Sequence, residues 1–442
     1  MATLEGRHRL HPLSALVRGW KVVVAFLAFA AQQGIERAGR GLDARHLLVL
    51  AGAGVTLSLL YGWASWVVTR YSVQDGHLRV DTGVLFRSSR RVRLDRLQAI
   101  DVLRPVLARA LGLAELRLDV AGGRGSHVTL TYLSDSEALA LRAELLALAA
   151  GLDADAGEAP ERVLARVELG DLALAHLLCL DTLAGILAML GLGVAAARIG
   201  GPGVVAALVS VALATLAPAA RRFLSHYGFL VAESPDGLRV RHGLLETLAH
   251  TVPPGRVQAV AIVEPLLWRR LRGWCRVELN VAGHVGPGDG SQSVLLPVAT
   301  RQVALDLLAR ALPGLDLAAI PLSAAPRRAR WVDPVGQPVL AAGADERFLV
   351  TRHGRITRRT DIVAHERTQS VRLRQGWLQR RLGLATVHLD STPGPVSPRV
   401  AHRDAGEAAL IVASQAERAR RARASALPER WMTARPQDGG TG

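Results

Sequence analysis

Lysine is almost absent from this 442-residue chain: Lys21 is the only one, so a net charge of +16 at pH 7 rests on arginine. Aromatic residues make up only 4% against 50% hydrophobic overall, so Leu, Ala and Val supply nearly all the apolar content. That balance, with a mean hydropathy of +0.21, argues against a soluble enzyme packed on aromatic cores. It suits helices that cross lipid beside modest globular cores. Cysteine is scarce too. Cys179 and Cys275 fall in regions expected to belong to different domains, and neither sits in a CxxC pair or beside a His and a carboxylate at metal spacing, which argues against a disulfide framework. A basic chain can face nucleic acid or an anionic membrane surface. Nucleic-acid binders interleave their basic residues with aromatics or place them on a reading helix. Neither pattern is present, so no nucleic acid is expected and the bilayer is the simpler partner.

Long uncharged runs are what the chain does have. Leu47–Val68 is 22 residues without a charged side chain, with Tyr61, Trp63 and Trp66 near its end. About 20 apolar residues cross about 30 Å of hydrocarbon, and aromatics gather at the interface. Trp20–Gln33, with Arg18 and Lys21 at its mouth, reads as the other half of a first hairpin over 13–68, an uncleaved anchor. Leu172–Ala197, apolar except for His176 and Asp181, and Gly203–Ala217 read as a second hairpin over 169–220, broken at Gly200-Gly201-Pro202-Gly203. Asp181 is a candidate intramembrane polar site; its place near one end favours an interfacial, solvated carboxylate. Arg7, Arg9, Arg18 and Lys21 before the first hairpin and Arg221-Arg222 after the second favour cytoplasmic domains on a multi-pass inner-membrane protein. Arg37, Arg40 and Arg45 in the first loop pull the other way.

One unit then occurs three times. Arg96-Leu-Gln98, Arg256-Val-Gln258 and Arg367-Thr-Gln369 each follow a glycine fifteen residues before the glutamine, at Gly83, Gly243 and Gly354. Leu111, Leu271 and Leu382 lie thirteen residues after it, followed by Gly112, Gly273 (one residue later than in the other copies) and Gly383 and an alternating apolar run. Tyr71–Val73, a turn at Gln74–Gly76 and His77–Asp81 read as a strand pair, as do Tyr227–Ala232 and Leu238–His242 around Ser234–Gly237. In the third copy Gly343 is expected in the turn before a strand at Arg347–Arg352. The glycine after each second strand suits a turn or bulge with positive φ. Ser134-x-x-Glu137 and Asp404-x-x-Glu407 read as reciprocal N-caps of the helices that close copies one and three.

These features resemble the bacterial pleckstrin-homology-like family, and the multi-copy, membrane-embedded layout is similar to its YdbT type. The carriers are Gly83, Arg96, Gln98 and Gly112, then Gly243, Arg256, Gln258 and Gly273, then Gly354, Arg367, Gln369 and Gly383. The resemblance covers residues 10–312 well and 331–424 more loosely. It implies, in each copy, a strongly bent sheet of about seven strands capped by a C-terminal helix, and no enzymatic activity. The expected fold is therefore membrane α + β: two transmembrane helical hairpins, about four helices, with three PH-like β-sheet or barrel domains. The hairpins fall at 13–68 and 169–220, and the domains at 69–151, 221–313 and, degenerate, 331–424. A linker at 314–330 and a disordered tail at 425–442 complete the chain. Pro393, Pro395 and Pro398 interrupt the closing strand of the third copy.

Chemistry motifs fail on context. Gly191-x-Gly193-x-x-Ala196 matches the loose dinucleotide fingerprint but lies inside a span with no strand before it; its small residues suit close helix packing. His365-Glu366 begins like a zinc-protease helix, but Gln369 stands where the second histidine is needed. No catalytic, cofactor-binding or metal residue is expected, and no cofactor. The repeated Arg-x-Gln has two readings. Arg96, Arg256 and Arg367 could bind an acidic headgroup or a partner carboxylate; the favoured reading is structural, with the glutamine bonding strand-end backbone. Arg87, Arg90, Arg91 and Arg93 in copy one and Arg352, Arg355, Arg358 and Arg359 in copy three stand where copy two has Thr247, His250 and Thr251, against a common anion pocket. The expectation is a non-catalytic assembly or scaffold protein whose domains pair with each other or with a partner's sheet edge, as a homo-oligomer or with another membrane protein. An anionic-lipid headgroup sensor is the first alternative. A transporter or channel accessory subunit, motivated by Asp181, is the second.

Overall fold

Period-two alternation sets the strands. In Leu113–Val120 the side chains of Leu116 and Leu118 are fully buried while Glu115 and Arg117, which alternate with them, are not, as a sheet with one covered face requires. The computed structural model describes residues 8–9, 12, 44–74, 77–83, 88–93, 97–120, 127–149, 161–199, 201–234, 237–252, 255–282 and 293–425. Trp20–Gln33, Arg96 and most of the 425–442 tail lie outside them, as does the side chain of Gln98. The chain divides into two compact units, residues 1–158 with 246–248, and residues 159–245 with 249–442.

The first unit holds β1 (His8–Arg9), α1 (Ala44–Val68), β2 (Arg70–Gln74), β3 (His77–Thr82) and β4 (Ser88–Arg93), then β5 (Leu97–Arg104), β6 (Leu113–Val120), β7 (His127–Ser134) and α2 (Asp135–Ala149). Strands β1 to β4 make one antiparallel sheet in sequence order, and β5, β6 and β7 pair antiparallel in turn. Helix α2 opens on the expected reciprocal cap: the Ser134 N–H donates to Glu137 Oε2 at 3.1 Å, and the Glu137 N–H donates to Ser134 Oγ at 3.3 Å. Its Ala138, Leu141 and Leu145 are buried over β5–β7.

The second unit begins with β8 (Arg162–Arg166), followed by α3 (Leu169–Leu177), α4 (Leu180–Ile199) and α5 (Pro202–Ser225). Next come β9 (Leu230–Ser234), β10 (Gly237–His242), β11 (Thr247–Val252), β12 (Val257–Pro265), β13 (Trp274–Val281), β14 (Val294–Thr300) and α6 (Arg301–Ala311). The third copy supplies β15 (Ser323–Ala324), β16 (Ala341–Ala344), β17 (Phe348–His353), β18 (Thr357–Ala364), β19 (Ser370–Arg374), β20 (Leu384–Asp390), β21 (Arg399–Asp404) and α7 (Ala405–Ser425). Each copy therefore runs four strands, three strands and a helix.

Each copy also places its first strand ahead of an insertion. β1 pairs with β2 across the segment containing α1. β8 pairs with β9 across α3–α5, Arg162 facing Glu233 and Arg166 facing Leu230. β15 pairs with β16 across two short 3-10 turns, Arg327–Trp331 and Gln337–Val339. The apolar segments are thus insertions within a module and not leaders to it.

The modules of the second unit share a sheet. β12 pairs antiparallel with β18 from Ala259–Val363 to Pro265–Thr357, giving the order β14-β13-β12-β18-β17-β16-β15. One face, with Val260, Ile262, Phe348, Val350 and Ile362, packs on the core of the second copy. The other, with Ala259, Ala261, Val263, Leu349 and Val363, packs on the core of the third, beside Ala385, Val387, Val400 and Ala408. Fully buried on both faces, β12 is an almost unbroken apolar run.

Several expectations change. Leu172–Ala197 is not one helix: α3 ends at Leu177 and α4 starts at Leu180, because Leu172 and Ala175 are buried in the core of the second copy and Trp268 Nε1 donates to the Ala175 carbonyl at 2.8 Å. Where four membrane helices were expected, two helices among the described residues, Leu180–Arg198 and Gly203–Ser225, are long and apolar enough to cross a membrane. Leu47–Val68 lies within α1. Gly343 is inside β16 and not in the turn; a Cβ there would sit 2.1 Å from the Pro321 carbonyl oxygen. The turn is made by Asp345, whose Oδ1 accepts the N–H groups of Arg347 and Phe348. The three prolines lie in the loop before β21, which still pairs with β20. Glu407 takes Arg403 at 3.2 Å, and Asp404 takes Arg328.

Candidate functional site

The six signature glycines share one physical property. Gly83, Gly243 and Gly354 have φ of 109°, 106° and 79°, and Gly112, Gly273 and Gly383 have 67°, 66° and 62°. All lie in the left-handed region that glycine enters without steric cost. At Gly354 a Cβ would also meet the Thr357 carbonyl oxygen at 2.1 Å. Tyr132 (φ 66°) and His402 (φ 52°) are the only non-glycine positive-φ positions among the described residues, each two residues before the end of the closing strand of its copy.

Arg-x-Gln does not form one recurring pocket. Gln258 is buried at the start of β12, its Nε2 donating to the Arg256 carbonyl at 3.4 Å. Gln369 is exposed, and its backbone N–H donates to the Asp390 carbonyl at 2.8 Å. Arg367 Nε meets Glu366 at 3.2 Å and lines a recess of about 890 Å³ with Arg347, Arg418 and Arg421, where Asp345, Glu346 and Glu366 offset the charge.

The arginines of copy three have separate duties. Arg359 on β18 is a clamp between modules: its Nη1 donates to Glu278 of β13 at 3.0 Å, its Nε to Asp361 at 2.9 Å and its Nη2 to the Pro395 carbonyl at 2.6 Å. Asp361 has no exposed surface, and burial pushes its carboxyl pKa up although Arg359 pulls it down. Asn280 of β13 holds the same loop from the other side. Its Nδ2 donates to the carbonyls of Thr392 at 3.1 Å and Val396 at 2.8 Å, and its Oδ1 accepts the Val396 N–H at 3.0 Å. The proline-rich loop therefore closes on module two.

A groove of about 930 Å³ opens on copy three, lined by Arg355, Arg374 and Arg399 with His353, His388 and His402. Burial and Arg399 push His353 down to about 4, and burial with Arg374 and Arg372 lowers His388. Asp333 is the one carboxylate on its wall, and its Oδ1 accepts the Gly336 N–H at 2.7 Å. The groove is electropositive.

Asp181, in the first turn of α4, receives Arg222 Nη1 from the last turn of α5 at 2.6 Å, with both side chains more than half exposed. Beside it His176, His226, His242 and His250 form a row with ring centroids 6.1, 6.2 and 6.1 Å apart, and burial next to His242 and His176 pushes His226 down to about 3. Among the described residues no three His, Cys, Asp or Glu side chains group as metal ligands.

Tandem modules of four strands, three strands and a closing helix, the last two joined by a shared sheet, define a class of protein built from repeats of one domain. The family comparison names it: the bacterial PH domain matches residues 22–149, 180–313 and 317–426, and this chain belongs to that family. Comparison with curated proteins and with solved structures gives no match.

Proposed function

We propose that the chain is a non-catalytic, membrane-anchored scaffold, with the YdbT-type layout, whose PH modules assemble by joining sheet edges at the cytoplasmic face of the inner membrane. The observation that carries this reading is the β12–β18 pairing, in which one module completes the sheet of the next. Main-chain hydrogen bonds give such joints affinity with little demand on sequence. The apolar α4–α5 hairpin, set inside a module, supports the anchor: its length and hydropathy suit a bilayer and almost none of it is buried. Crosslinking in native membranes tests the proposal. A homo-oligomer or a membrane partner should be trapped, and a strictly monomeric, partner-free chain ends it.

The electropositive groove favours a second reading, recognition of anionic lipid headgroups. The full chain in detergent should then take up anionic and not neutral lipid, with Arg399→Ala weakening the uptake; equal uptake of both lipids ends that reading.

A further inference from the structure

We infer that the free edge of β19 is a docking site for another protein, which adds an extended segment alternating apolar and acidic side chains. The inference rests on the scaffold reading and supplies the chemistry of its partner.

β12 and β19 hold the same place in successive modules. Each begins at the Arg-x-Gln signature, β12 within it and β19 just after it; each opens the second set of strands of its copy and pairs on one side with the next strand of that copy. The other side differs. β12 is covered by β18 over seven residue pairs, whereas β19 ends a three-stranded sheet and, among the described residues, pairs with β20 alone. Exposure follows: Val257 to Glu264 is buried throughout, while Ser370, Arg372, Leu373 and Arg374 are exposed. An open edge presents a row of backbone donors and acceptors that another strand can use.

The side chains say what kind of strand fits. Val371 and Leu373 point to one face; Val371 packs on the core beneath α7, and Leu373 is 47% exposed. Arg372 and Arg374 point to the other. Arg372 meets Asp390, and Arg374 has no ion pair among the described residues. An incoming strand thus meets apolar and cationic positions alternately, so cross-strand complementarity calls for apolar and acidic residues in the same period. The covered joint uses the same device, with Glu264 of β12 facing Arg358 of β18.

A second copy of this chain is a poor occupant. The strand of copy one that corresponds to β18 is β4, which ends its sheet and carries Arg90, Arg91 and Arg93. Laid on β19 it would set arginine against arginine, which destabilises a cross-strand pair. Charge on an edge strand is also how sheets resist joining their own kind. The arginines that reject a second copy select an acidic partner.

The test uses the full chain in detergent micelles and fluorescence anisotropy of labelled synthetic peptides of about eight residues, long enough to span β19. A peptide alternating valine and glutamate should bind. One alternating valine and lysine, and a valine–glutamate peptide N-methylated on alternate amides, should bind at least about tenfold more weakly. Arg374→Glu, a change at an exposed position, should reverse the preference between acidic and basic peptides. Equal binding of acidic and basic peptides, indifference to N-methylation, or no response to Arg374→Glu overturns the inference. So does a sedimenting oligomer that Arg374→Glu dissociates, because a second copy would then own the edge. Peptide binding with no crosslinked species in native membranes would sink the scaffold reading and leave the docking site standing; crosslinked species without peptide binding would do the reverse.

Discussion

Arg359 shows how one side chain can do the work of an interface. It lies on β18, yet it meets Glu278 of the preceding module, Asp361 on its own strand and the carbonyl of Pro395. Both carboxylates are buried; Glu278 also meets Arg276 Nε at 3.0 Å, so Asp361 is the charge that leans most on the Arg359 guanidinium. Removing one partner of a buried ion pair costs about 3–5 kcal/mol because the other charge stays desolvated. Arg359→Met is therefore expected to lower stability by about that amount, read as a drop in the denaturant midpoint. Adding Asp361→Asn should recover part of the loss, since the isolated charge is then gone. A single variant as stable as the parent would show that water already solvates these carboxylates.

The shared sheet makes two modules one element of stability. Ile262 of β12 belongs to the core of the second copy, while its neighbours Ala261 and Val263 belong to the core of the third. Truncation of a buried isoleucine costs about 2–5 kcal/mol. Ile262→Ala should spread that cost, so hydrogen exchange should quicken in β17 and β20 as well as in β13. Quickening confined to β13 and β14 would mean that the two cores open independently. Sequence reasoning reaches some of this and not the rest. The signature glycines were legible because a positive φ leaves a chemical trace at one position, and the Ser134–Glu137 cap because its partners are three residues apart. The β12–β18 joint left no such trace: its strands lie about a hundred residues apart in sequence, and a strand buried on both faces looks like any apolar run. Short first strands were missed for a related reason. β8 reads as polar linker until β9 is set beside it, and α3 reads as part of a span until Leu172 and Ala175 are seen in a core. At the candidate site, arginine clusters were visible in the sequence, but only geometry separates the clamp Arg359 from the groove residues Arg355, Arg374 and Arg399.

At the scale of the whole molecule, the way the apolar hairpin is inserted constrains its topology. β8 enters α3–α5 and β9 leaves them, and the two strands are paired, so both feet of the hairpin stand on one side. The Asp181–Arg222 contact ties the first turn of α4 to the last turn of α5 at the same level. Helix α4 has 20 residues, and at 1.5 Å per residue it rises about 30 Å, the thickness of the hydrocarbon layer. If the hairpin crosses a bilayer, the turn before Gly203 must emerge on the face opposite the modules, and the arginines at its feet favour modules in the cytoplasm. In a chain whose native Cys179 and Cys275 are replaced, Gly203→Cys and Glu346→Cys mark the two sides; a Cβ at Gly203 meets nothing within 4 Å, and Glu346 is exposed. A membrane-impermeant maleimide applied to intact spheroplasts should label Gly203→Cys alone, and Glu346→Cys should react only after lysis. Labelling of both positions before lysis would place turn and modules together and remove the span, because a hairpin with paired feet cannot cross and return its tip to the side it left.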